Sequence, residues 1–343
     1  MPASKIQPPG SDPLVIVATR GNFIESRHRV ACAVLDADGE VVARWGDIDI
    51  AVSPRSACKP LQQIPLVETG ATDAFAVSAE ELALACSSHS AQPEHVRLVA
   101  TWLARIGLGE VDLECGSHDP MHEPTTRAMW QRGEAPSQLH NNCSGKHTGF
   151  LTLARHLGVA TKGYVGRDHA IQRLIARTMG EMTGSDLASA PCGLDGCGIP
   201  TFAFPLRGLA LGLARMSAPD NLDPVRAAAC RRLLDGMGSH PLLVAGDGRF
   251  DTEVMRATGR RLVCKGGAEG VHVVAIRTRG WGLALKALDG AARAADAAAA
   301  AVLEYLGVLE GSDIEAVGRF LRQPIVTRAS LAAGWVQPEG LSF

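Results

Sequence analysis

Hydrophobic positions alternate with polar ones near both ends of the chain and recur at helical spacing through its middle. Near the start, an apolar run precedes two segments joined by Asp36-Ala37-Asp38-Gly39, whose Asp-Gly step is typical of a hairpin turn. The predicted strands cover residues 14–19, 30–36, 40–45, 261–264, 271–278 and 282–289. We expect the three strands near the start of the chain and the three towards its end to form one mixed, largely antiparallel sheet.

The middle of the chain predicts helices. Apolar residues recur there every three or four positions, which places them on one face of a helix. The predicted helices cover residues 79–86, 95–106, 169–182, 206–216, 224–235 and 290–305, another follows residue 147, and the tail from 309 to 338 is interpreted as moderately helical. The pattern predicts an α/β (α+β) fold in a single catalytic unit, residues 1–343, with a sheet-containing lobe (about 13–60 and 255–343) and an inserted helical lobe (about 61–254).

Composition and charge exclude several classes of function. The 343 residues are 46% hydrophobic with a formal net charge of −2, so no nucleic-acid-binding surface is indicated. A Pro-rich leader over residues 1–12 lacks an apolar signal segment, and apolar runs elsewhere are too short to span a membrane. Nine cysteines spread along the chain favour reduced thiols or a metal site over a disulfide framework. We therefore expect a cytoplasmic protein without membrane or nucleic-acid partners.

The most informative motif is Ser56-Ala57-Cys58-Lys59, at the predicted first turn of a short helix. Side chains three residues apart project from one face of a helix, so the serine hydroxyl and the lysine amine are expected to be neighbours. An uncharged amine can accept the proton of a serine nucleophile. The alternative interpretation is an N-cap serine followed by a solvated lysine.

Three other segments have unusual composition. Cys86-Ser87-Ser88-His89-Ser90 follows an apolar helix, and a serine there could relay a proton, hold a substrate amide or cap the helix. Lys265 stands at a predicted strand end beside Gly266 and Gly267, which would let a substrate approach the backbone; a hairpin loop with a solvated lysine is the alternative.

The third segment is a pair of Cys-containing loops around Cys143 and Cys197. With His147 and Asp195 nearby in sequence, they contain the residue types of a soft metal site, for which zinc is the first choice. Their spacing matches no standard zinc ribbon, and cysteine is often simply buried, so both interpretations stay open.

Taken together, these peptides resemble the L-asparaginase II family of rhizobial type along nearly the whole chain. The resemblance is carried by Arg20-Gly21, Arg55-Ser56-Ala57-Cys58-Lys59-Pro60, Ala85-Cys86-Ser87-Ser88-His89, His118-Asp119-Pro120, His140-Asn141-Asn142-Cys143-Ser144-Gly145-Lys146-His147, Asp195-Gly196-Cys197-Gly198 and Lys265-Gly266-Gly267. It implies deamidation of L-asparagine to L-aspartate and ammonia, a fold similar to serine β-lactamases and glutaminases, and a homodimer.

The resemblance also implies roles for individual residues. Ser56 with Lys59 and Ser88 with Lys265 would be two catalytic Ser-Lys pairs, with Ser56 as the expected nucleophile. Zinc, as a structural or substrate-orienting ion, would be held by Cys143, Lys146 and Cys197. Asp195 would receive the substrate's α-amino group, Gly266 would line the substrate site, and Arg55 and His147 are interpreted as substrate contacts or neighbours of such contacts.

Other functions remain open at this point. A glutaminase or another β-lactamase-like serine amidohydrolase would share the Ser-x-x-Lys motif and the Lys-Gly strand end. One methylene separates asparagine from glutamine, and a pocket discriminates such a difference by only about 1–3 kcal/mol. A non-catalytic metal-binding protein would keep Cys143 and Cys197 but would have no use for two Ser-Lys pairs.

Overall fold

A computed structural model describes residues 7–340, so residues 1–6 of the predicted leader lie outside the described part. Its strands are β1 (Leu14–Arg20), β2 (Phe23–Leu35), β3 (Val41–Trp45), β4 (Ala51–Val52), β5 (Cys192–Leu194), β6 (Pro200–Phe202), β7 (Phe204–Pro205), β8 (Leu262–Gly266), β9 (Val271–Ile276), β10 (Trp281–Ala287), β11 (Gln323–Val326) and β12 (Ala332–Pro338). Its α-helices are α1 (Lys59–Gln62), α2 (Ile64–Glu68), α3 (Ala71–Ala74), α4 (Ala79–Ala85), α5 (Pro93–Arg105), α6 (Glu123–Arg132), α7 (Ser144–Leu157), α8 (Ala170–Thr183), α9 (Leu206–Ser217), α10 (Pro224–Ser239), α11 (Pro241–Val244), α12 (Phe250–Thr258), α13 (Ala292–Tyr305) and α14 (Ser312–Leu321).

The largest sheet joins the two ends of the chain. Its strands follow the order β11-β12-β1-β2-β10-β9-β8, and β3 also pairs with β2. All of these pairs are antiparallel in the described residues; for example, Leu283 of β10 lies opposite Val34 of β2. The predicted α/β fold with a largely antiparallel sheet built from both chain ends is confirmed.

Helices α9 and α13 pack against this sheet. Strand β9 is buried along its whole length, as expected for a strand covered on both faces. Close contact with α9 requires a glycine in β10: a Cβ at Gly282 would lie 2.1 Å from the Ala210 carbonyl oxygen. The many alanines of α13 likewise let that helix lie close to the sheet.

The C-terminal tail differs from the prediction. Residues 309–338 were expected to be moderately helical, but only α14 is a helix, and β11 and β12 follow it. Strand β12 pairs with the edge of β1, with Ala18 opposite Val336. Because an unpaired β1 edge would leave backbone groups without partners, this long-range pairing outweighs the weak local preference for helix.

The helices between β4 and β8 form the wall on which the candidate site is built. Helix α7 is buried from Ser144 to Ala154 and packs against α4 and α5, while α10 packs against α4 and α2. Within residues 7–340, no helix combines the length and the apolar character needed to cross a bilayer.

Candidate active site

A cavity of about 470 Å³ lies where the helical segments meet the end of strand β8. Its volume is typical of small-molecule sites. The wall is formed by segments that are far apart in the sequence, and it includes Arg55, Ser56, Ser88, Cys143, Asp195, Cys197, Arg249, Asp251 and Gly266. The cavity thus collects most of the residues that the sequence motifs indicated.

Ser56 lies in a 3₁₀ turn, Arg55–Cys58, that continues into α1. Arg55 has a φ of +50°, a left-handed conformation that is unfavourable for residues other than glycine. Its ion pair with Asp195 helps to hold this conformation. The turn brings Ser56 to the cavity wall, where its hydroxyl has no hydrogen-bond partner among the described residues.

Lys59 is buried, with 1% of its surface exposed. Its Nζ donates a hydrogen bond to Ser88 Oγ at 3.0 Å and another to the Ser87 carbonyl oxygen. The hydrogen bond expected between Lys59 and Ser56 is not found in the described structure. A buried amine needs acceptors, and the loop after α4 supplies them, so the lysine of the Ser-x-x-Lys motif contacts the serine of a different motif.

Lys265, at the end of β8, is also a buried amine. Its Nζ donates to the Gly266 carbonyl oxygen and lies 4.0 Å from Asp251 Oδ2; no hydrogen bond to Ser88 is found among the described residues. Burial lowers the pKa of Lys265 to about 7, against the opposing charge of Asp251 and with a contribution from Lys59. Near neutral pH, Lys265 can therefore take up and release a proton.

Asp251 connects Lys265 to the rest of the fold. Its Oδ1 lies 2.9 Å from His272 Nε2, and its Oδ2 accepts the Gly266 backbone N–H at 2.9 Å. Burial opposes ionisation, but His272 and Lys265 together hold the pKa of Asp251 far below its usual range. Asp251 is thus a buried carboxylate that fixes the strand end carrying Lys265.

The end of β8 lies directly against the Ser56 turn. A Cβ at Gly267 would be 2.7 Å from the Pro54 carbonyl oxygen and 3.1 Å from Ala57 N, so only glycine allows this approach. Gly266 lines the cavity next to it, as the sequence predicts for a backbone that a substrate approaches.

Asp195 lies at the turn between β5 and β6. Its Oδ1 accepts hydrogen bonds from Arg55 Nε at 2.8 Å and from Gly196 N at 2.7 Å, and Arg55 Nη2 lies 2.6 Å from the same oxygen. Oδ2 accepts none from the described residues. Burial raises the pKa of Asp195, but the charges of Lys146 and Arg55 outweigh burial and lower it. The free Oδ2 therefore offers a negative charge to a ligand.

Cys143, Lys146 and Cys197 converge beside Asp195. Lys146 Nζ donates to Cys197 Sγ at 2.9 Å, and the Cys143 and Cys197 thiols are close enough to influence each other's pKa. This interaction and the nearby lysines lower the pKa of Cys143 well below its ordinary value against the effect of burial, whereas the interaction and burial raise the pKa of Cys197. Burial lowers the pKa of Lys146, but the sulfur atoms of Cys197 and Cys143 outweigh burial and raise it.

This cluster fits zinc by the chemistry of its donors. Two sulfur atoms and an amine are ligands of the kind that zinc accepts, and one sulfur is already disposed to be a thiolate. Lys146 would have to lose its proton to coordinate. Within residues 7–340, no group of three or more His, Cys, Asp or Glu side chains is arranged to hold a metal, so the site depends on this lysine.

His147 is buried in the core and does not line the cavity. Its Nδ1 lies 2.6 Å from the Tyr164 hydroxyl, and its Nε2 has no partner in the described structure. Burial, followed by the charges of Lys146 and Lys59, lowers the pKa of His147 well below its ordinary value. Because His147 is buried next to Lys146 and away from the cavity, we infer that it supports the position of the loop that carries Cys143.

Several residues of the cavity wall, among them Asp251 and Arg249, were not predicted from the sequence. Both stand at the start of α12, outside every motif. The contacts of Asp251 are made with residues 15 and 21 positions further along the chain, Gly266 and His272. No local pattern in the sequence could have indicated them.

The model of the family described as L-asparaginase II matches residues 16–338 of the chain. The chain belongs to the L-asparaginase II family. Membership supports an amidohydrolase and confirms the resemblance that the motifs carried. No curated protein gives a significant match.

Several solved structures align with this chain over most of its length, but with low sequence identity and low TM-scores. A β-lactamase from Mycobacterium bovis is 16% identical, with a TM-score of 0.40 over 80% of this chain and 94% of that one. Simvastatin synthase from Aspergillus terreus is 11% identical, with a TM-score of 0.38 over 75% and 86%. A Bacillus glutaminase is 12% identical, with a TM-score of 0.31 over 75% and 83%. These overlaps are distant, and the assignment depends on the family match.

Proposed function

We propose that this protein is an L-asparaginase that hydrolyses the side-chain amide of L-asparagine to L-aspartate and ammonia through a serine nucleophile. The observation that carries the proposal is the buried hydrogen bond between Lys59 and Ser88, in the same cavity wall as Ser56. A buried amine bound to a serine hydroxyl is the arrangement that serine activation by lysine requires.

In the proposed first step, Ser56 Oγ forms a bond to the amide carbon of the substrate. Its hydroxyl is free of other hydrogen bonds, so attack breaks no existing contact. The Ser88 hydroxyl accepts the Ser56 proton and passes its own proton to the uncharged Lys59 amine, so that the hydrogen bond in which Lys59 donates to Ser88 reverses its direction. The resulting Lys59 ammonium gives a proton to the amide nitrogen, the carbon–nitrogen bond breaks, and ammonia leaves. Water hydrolyses the resulting β-aspartyl ester, which releases L-aspartate and restores the serine.

The hydrogen bond between Lys59 and Ser88 also supports Ser88 as a second candidate for the nucleophile. Lys59 contacts Ser88 directly, so Ser88 could attack while Lys59 accepts its proton in one transfer. Both assignments form an acyl-enzyme and release the same products. They differ in which serine carries the acyl group.

Lys265 sets the protonation state of this cluster. Two neighbouring amines do not both retain a proton readily. Burial and the charge of Lys59 lower the pKa of Lys265 to about 7, so Lys265 gains or loses its proton near neutral pH. Asp251 holds the strand end so that this amine stays beside the cavity.

The substrate's α-amino group is assigned to Asp195. Arg55 and Gly196 occupy its Oδ1, which leaves Oδ2 as an acceptor on the cavity wall. An ammonium group there would make a charge-assisted hydrogen bond.

We also propose zinc at Cys143, Lys146 and Cys197. When bound, the ion would supply a fixed positive charge that orders the Cys143 loop or orients the substrate, and a serine nucleophile makes a zinc-bound hydroxide unnecessary. The chain's own residues make the proposed proton transfers.

The homodimer and the cytoplasmic location are further parts of the proposal. The dimer rests on the family resemblance. All nine cysteines are unpaired in the structure, which suits a reducing compartment.

An ammonia-coupled assay of the purified protein with L-asparagine and with L-glutamine, with and without chelator, tests the proposal. We expect release of ammonia and L-aspartate from L-asparagine and a lower kcat/KM for L-glutamine. Higher kcat/KM for L-glutamine would make the protein a glutaminase. Absence of turnover with either amide in zinc-loaded protein would overturn the proposed activity.

A further inference from the structure

Two arginines line the cavity, and they differ in their partners. Arg55 forms an ion pair with Asp195. Arg249 has no carboxylate oxygen within 4.0 Å among residues 7–340; its recorded contacts are long ones, from Nη1 to the Ser88 carbonyl oxygen at 3.4 Å and to Met121 Sδ at 3.8 Å. Arg249 is therefore a cation at the cavity wall whose ion-pairing capacity is unused.

The fold holds Arg249 at this position. It is the residue before α12, where Phe250 and Asp251 continue the cavity wall. Asp251 and Asp296 also line the cavity, but neither forms an ion pair with the guanidinium: Asp251 contacts His272 and the Gly266 backbone N–H, and burial raises the pKa of Asp296 to about 6. The nearby carboxyl groups thus leave the guanidinium available to an anion from outside the protein.

A planar guanidinium with free N–H groups matches a carboxylate, because the two can form parallel hydrogen bonds. Its place relative to the reacting groups is informative. Arg249 contacts the carbonyl oxygen of Ser88, while Lys59 contacts the hydroxyl of the same residue. A carboxylate bound by Arg249 would therefore lie close to Ser88, whose hydroxyl contacts Lys59, and in the same cavity as Ser56.

Asp195 supplies the complementary charge. Its Oδ2 accepts no hydrogen bond from the described residues, so Asp195 and Arg249 give the cavity wall two opposite charges that each have atoms available to a ligand. An amino-acid zwitterion has the matching pair of charges. An amide lacking the α-carboxylate would engage only one of them.

We propose that Arg249 binds the α-carboxylate of the amino-acid substrate and thereby makes the enzyme specific for free amino acids over simple amides. This inference rests on the proposed amidohydrolase activity. It adds a specificity-determining residue that none of the sequence motifs contains.

The test compares two amides that differ only in the α-carboxylate, L-asparagine and 3-aminopropanamide. At a pH well above 7, where Lys265 is uncharged with or without the Arg249 charge, Arg249→Gln should lower kcat/KM for L-asparagine by about tenfold to a hundredfold, mostly through KM, and leave kcat/KM for 3-aminopropanamide nearly unchanged. The matched control is Arg256→Gln on α12, the helix that Arg249 precedes, since Arg256 is exposed and pairs with Asp247 and Glu253. It should alter neither value. Equal losses for both amides, or no loss for L-asparagine, would overturn the assignment.

A binding measurement keeps the test independent of turnover and of the folding of one variant. Calorimetry should show that Arg249→Gln and Arg249→Lys bind L-aspartate less tightly than the unmodified protein, by about tenfold for Gln. Binding of β-alanine, which lacks the α-carboxylate, should be unchanged in both. An unchanged ratio of the two affinities would refute the role of Arg249. If the unmodified protein binds L-aspartate but never releases ammonia, the proposed activity fails while the carboxylate site stands.

Discussion

Lys59 Nζ lies 3.0 Å from Ser88 Oγ, although the two residues are 29 positions apart and the nearest serine in the sequence motif is Ser56. Both members of this hydrogen bond are buried, which strengthens it and excludes competing water. The two serines therefore have different surroundings: Ser56 has a free hydroxyl at the cavity wall, and Ser88 has a hydroxyl held by an amine.

The first prediction assigns the nucleophile. Ser56→Ala should abolish the acyl-enzyme and lower kcat by at least about a thousandfold, because no other hydroxyl among the described residues is both free and at the cavity wall. Ser88→Ala should lower kcat by about 10² to 10⁴ through loss of proton transfer while the acyl group still forms slowly on Ser56. Mass spectrometry of protein quenched with acid during turnover of L-asparagine locates the adduct.

Ser87→Ala is the matched control for these two variants. Ser87 adjoins Ser88 and keeps its backbone carbonyl bond to Lys59, while its hydroxyl has no partner in the described structure. Its kcat should stay near that of the unmodified protein. An adduct on Ser88 would reverse the roles that we assign to the two serines.

Much of the fold follows from local sequence pattern. Helix α5 has a helical periodicity of apolar residues that its one-sided burial explains, and the mostly apolar residues of β9 suit a strand buried along its whole length. Local sequence pattern does not predict strand β12, since the alanines and the glycine of Ala332–Pro338 have only a weak preference for strand conformation. Its conformation is set by the free edge of β1, a partner more than three hundred positions away.

The site was predictable only as a set of residues. Motifs indicated Ser56, Lys59, Ser88 and Lys265, but spacing along a helix suggested a contact between Ser56 and Lys59 that the described structure does not contain. A 3₁₀ turn followed by a buried lysine directs the amine toward acceptors in another loop. Contacts of this kind depend on tertiary packing and leave no periodic signal.

The second prediction concerns metal content. Protein purified without chelator should contain about one zinc per chain, because Cys143, Lys146 and Cys197 supply donors that suit this ion. Cys143→Ser and Cys197→Ser should each lose most of it, as measured by inductively coupled plasma mass spectrometry.

Cys192→Ser is the control for zinc binding. Cys192 lies in the β5–β6 hairpin near Cys197, is partly exposed, and its recorded contact is with the Gly193 carbonyl oxygen. This variant should keep its zinc. Equal zinc in all three variants would contradict the ligand assignment.

The third prediction tests how α7 is positioned. A Cβ at Gly145 would lie 2.4 Å from the Leu84 carbonyl oxygen and 2.6 Å from Leu84 Cγ, so α7 approaches α4 only because residue 145 is glycine. Gly145→Ala should lower the free energy of unfolding by about 1–3 kcal/mol, as overpacking typically does. Urea denaturation measures the difference.

Gly193→Ala serves for comparison, since a Cβ there meets nothing within 4 Å and the residue does not need a left-handed backbone. Its free energy of unfolding should change little. Because Gly145 lies between Cys143 and Lys146, we also expect Gly145→Ala to weaken zinc binding. Equal stability of the two alanine variants would show that the two helices separate without cost.

The last prediction follows from the position of Asp251. Its negative charge raises the pKa of Lys265, while burial, Lys59 and Arg249 lower it, and the balance is about 7. Removing that charge in Asp251→Asn keeps the shape of the side chain but lowers the pKa of Lys265 further. If turnover requires an uncharged Lys265, kcat/KM rises with pH through about 7 in the unmodified protein. In Asp251→Asn that rise should occur at lower pH.

Asp247→Asn is the matched control, because Asp247 lies four residues before Asp251 but its side chain bonds to Gln92 and Arg256 instead of Lys265. Its pH profile should coincide with that of the unmodified protein, since the protonation of Lys265 is unaffected. A purely structural role for Asp251 predicts lower kcat/KM at every pH with no change in the midpoint. A midpoint moved to higher pH would contradict the electrostatic sign, because it would mean that Asp251 disfavours the charged form of Lys265.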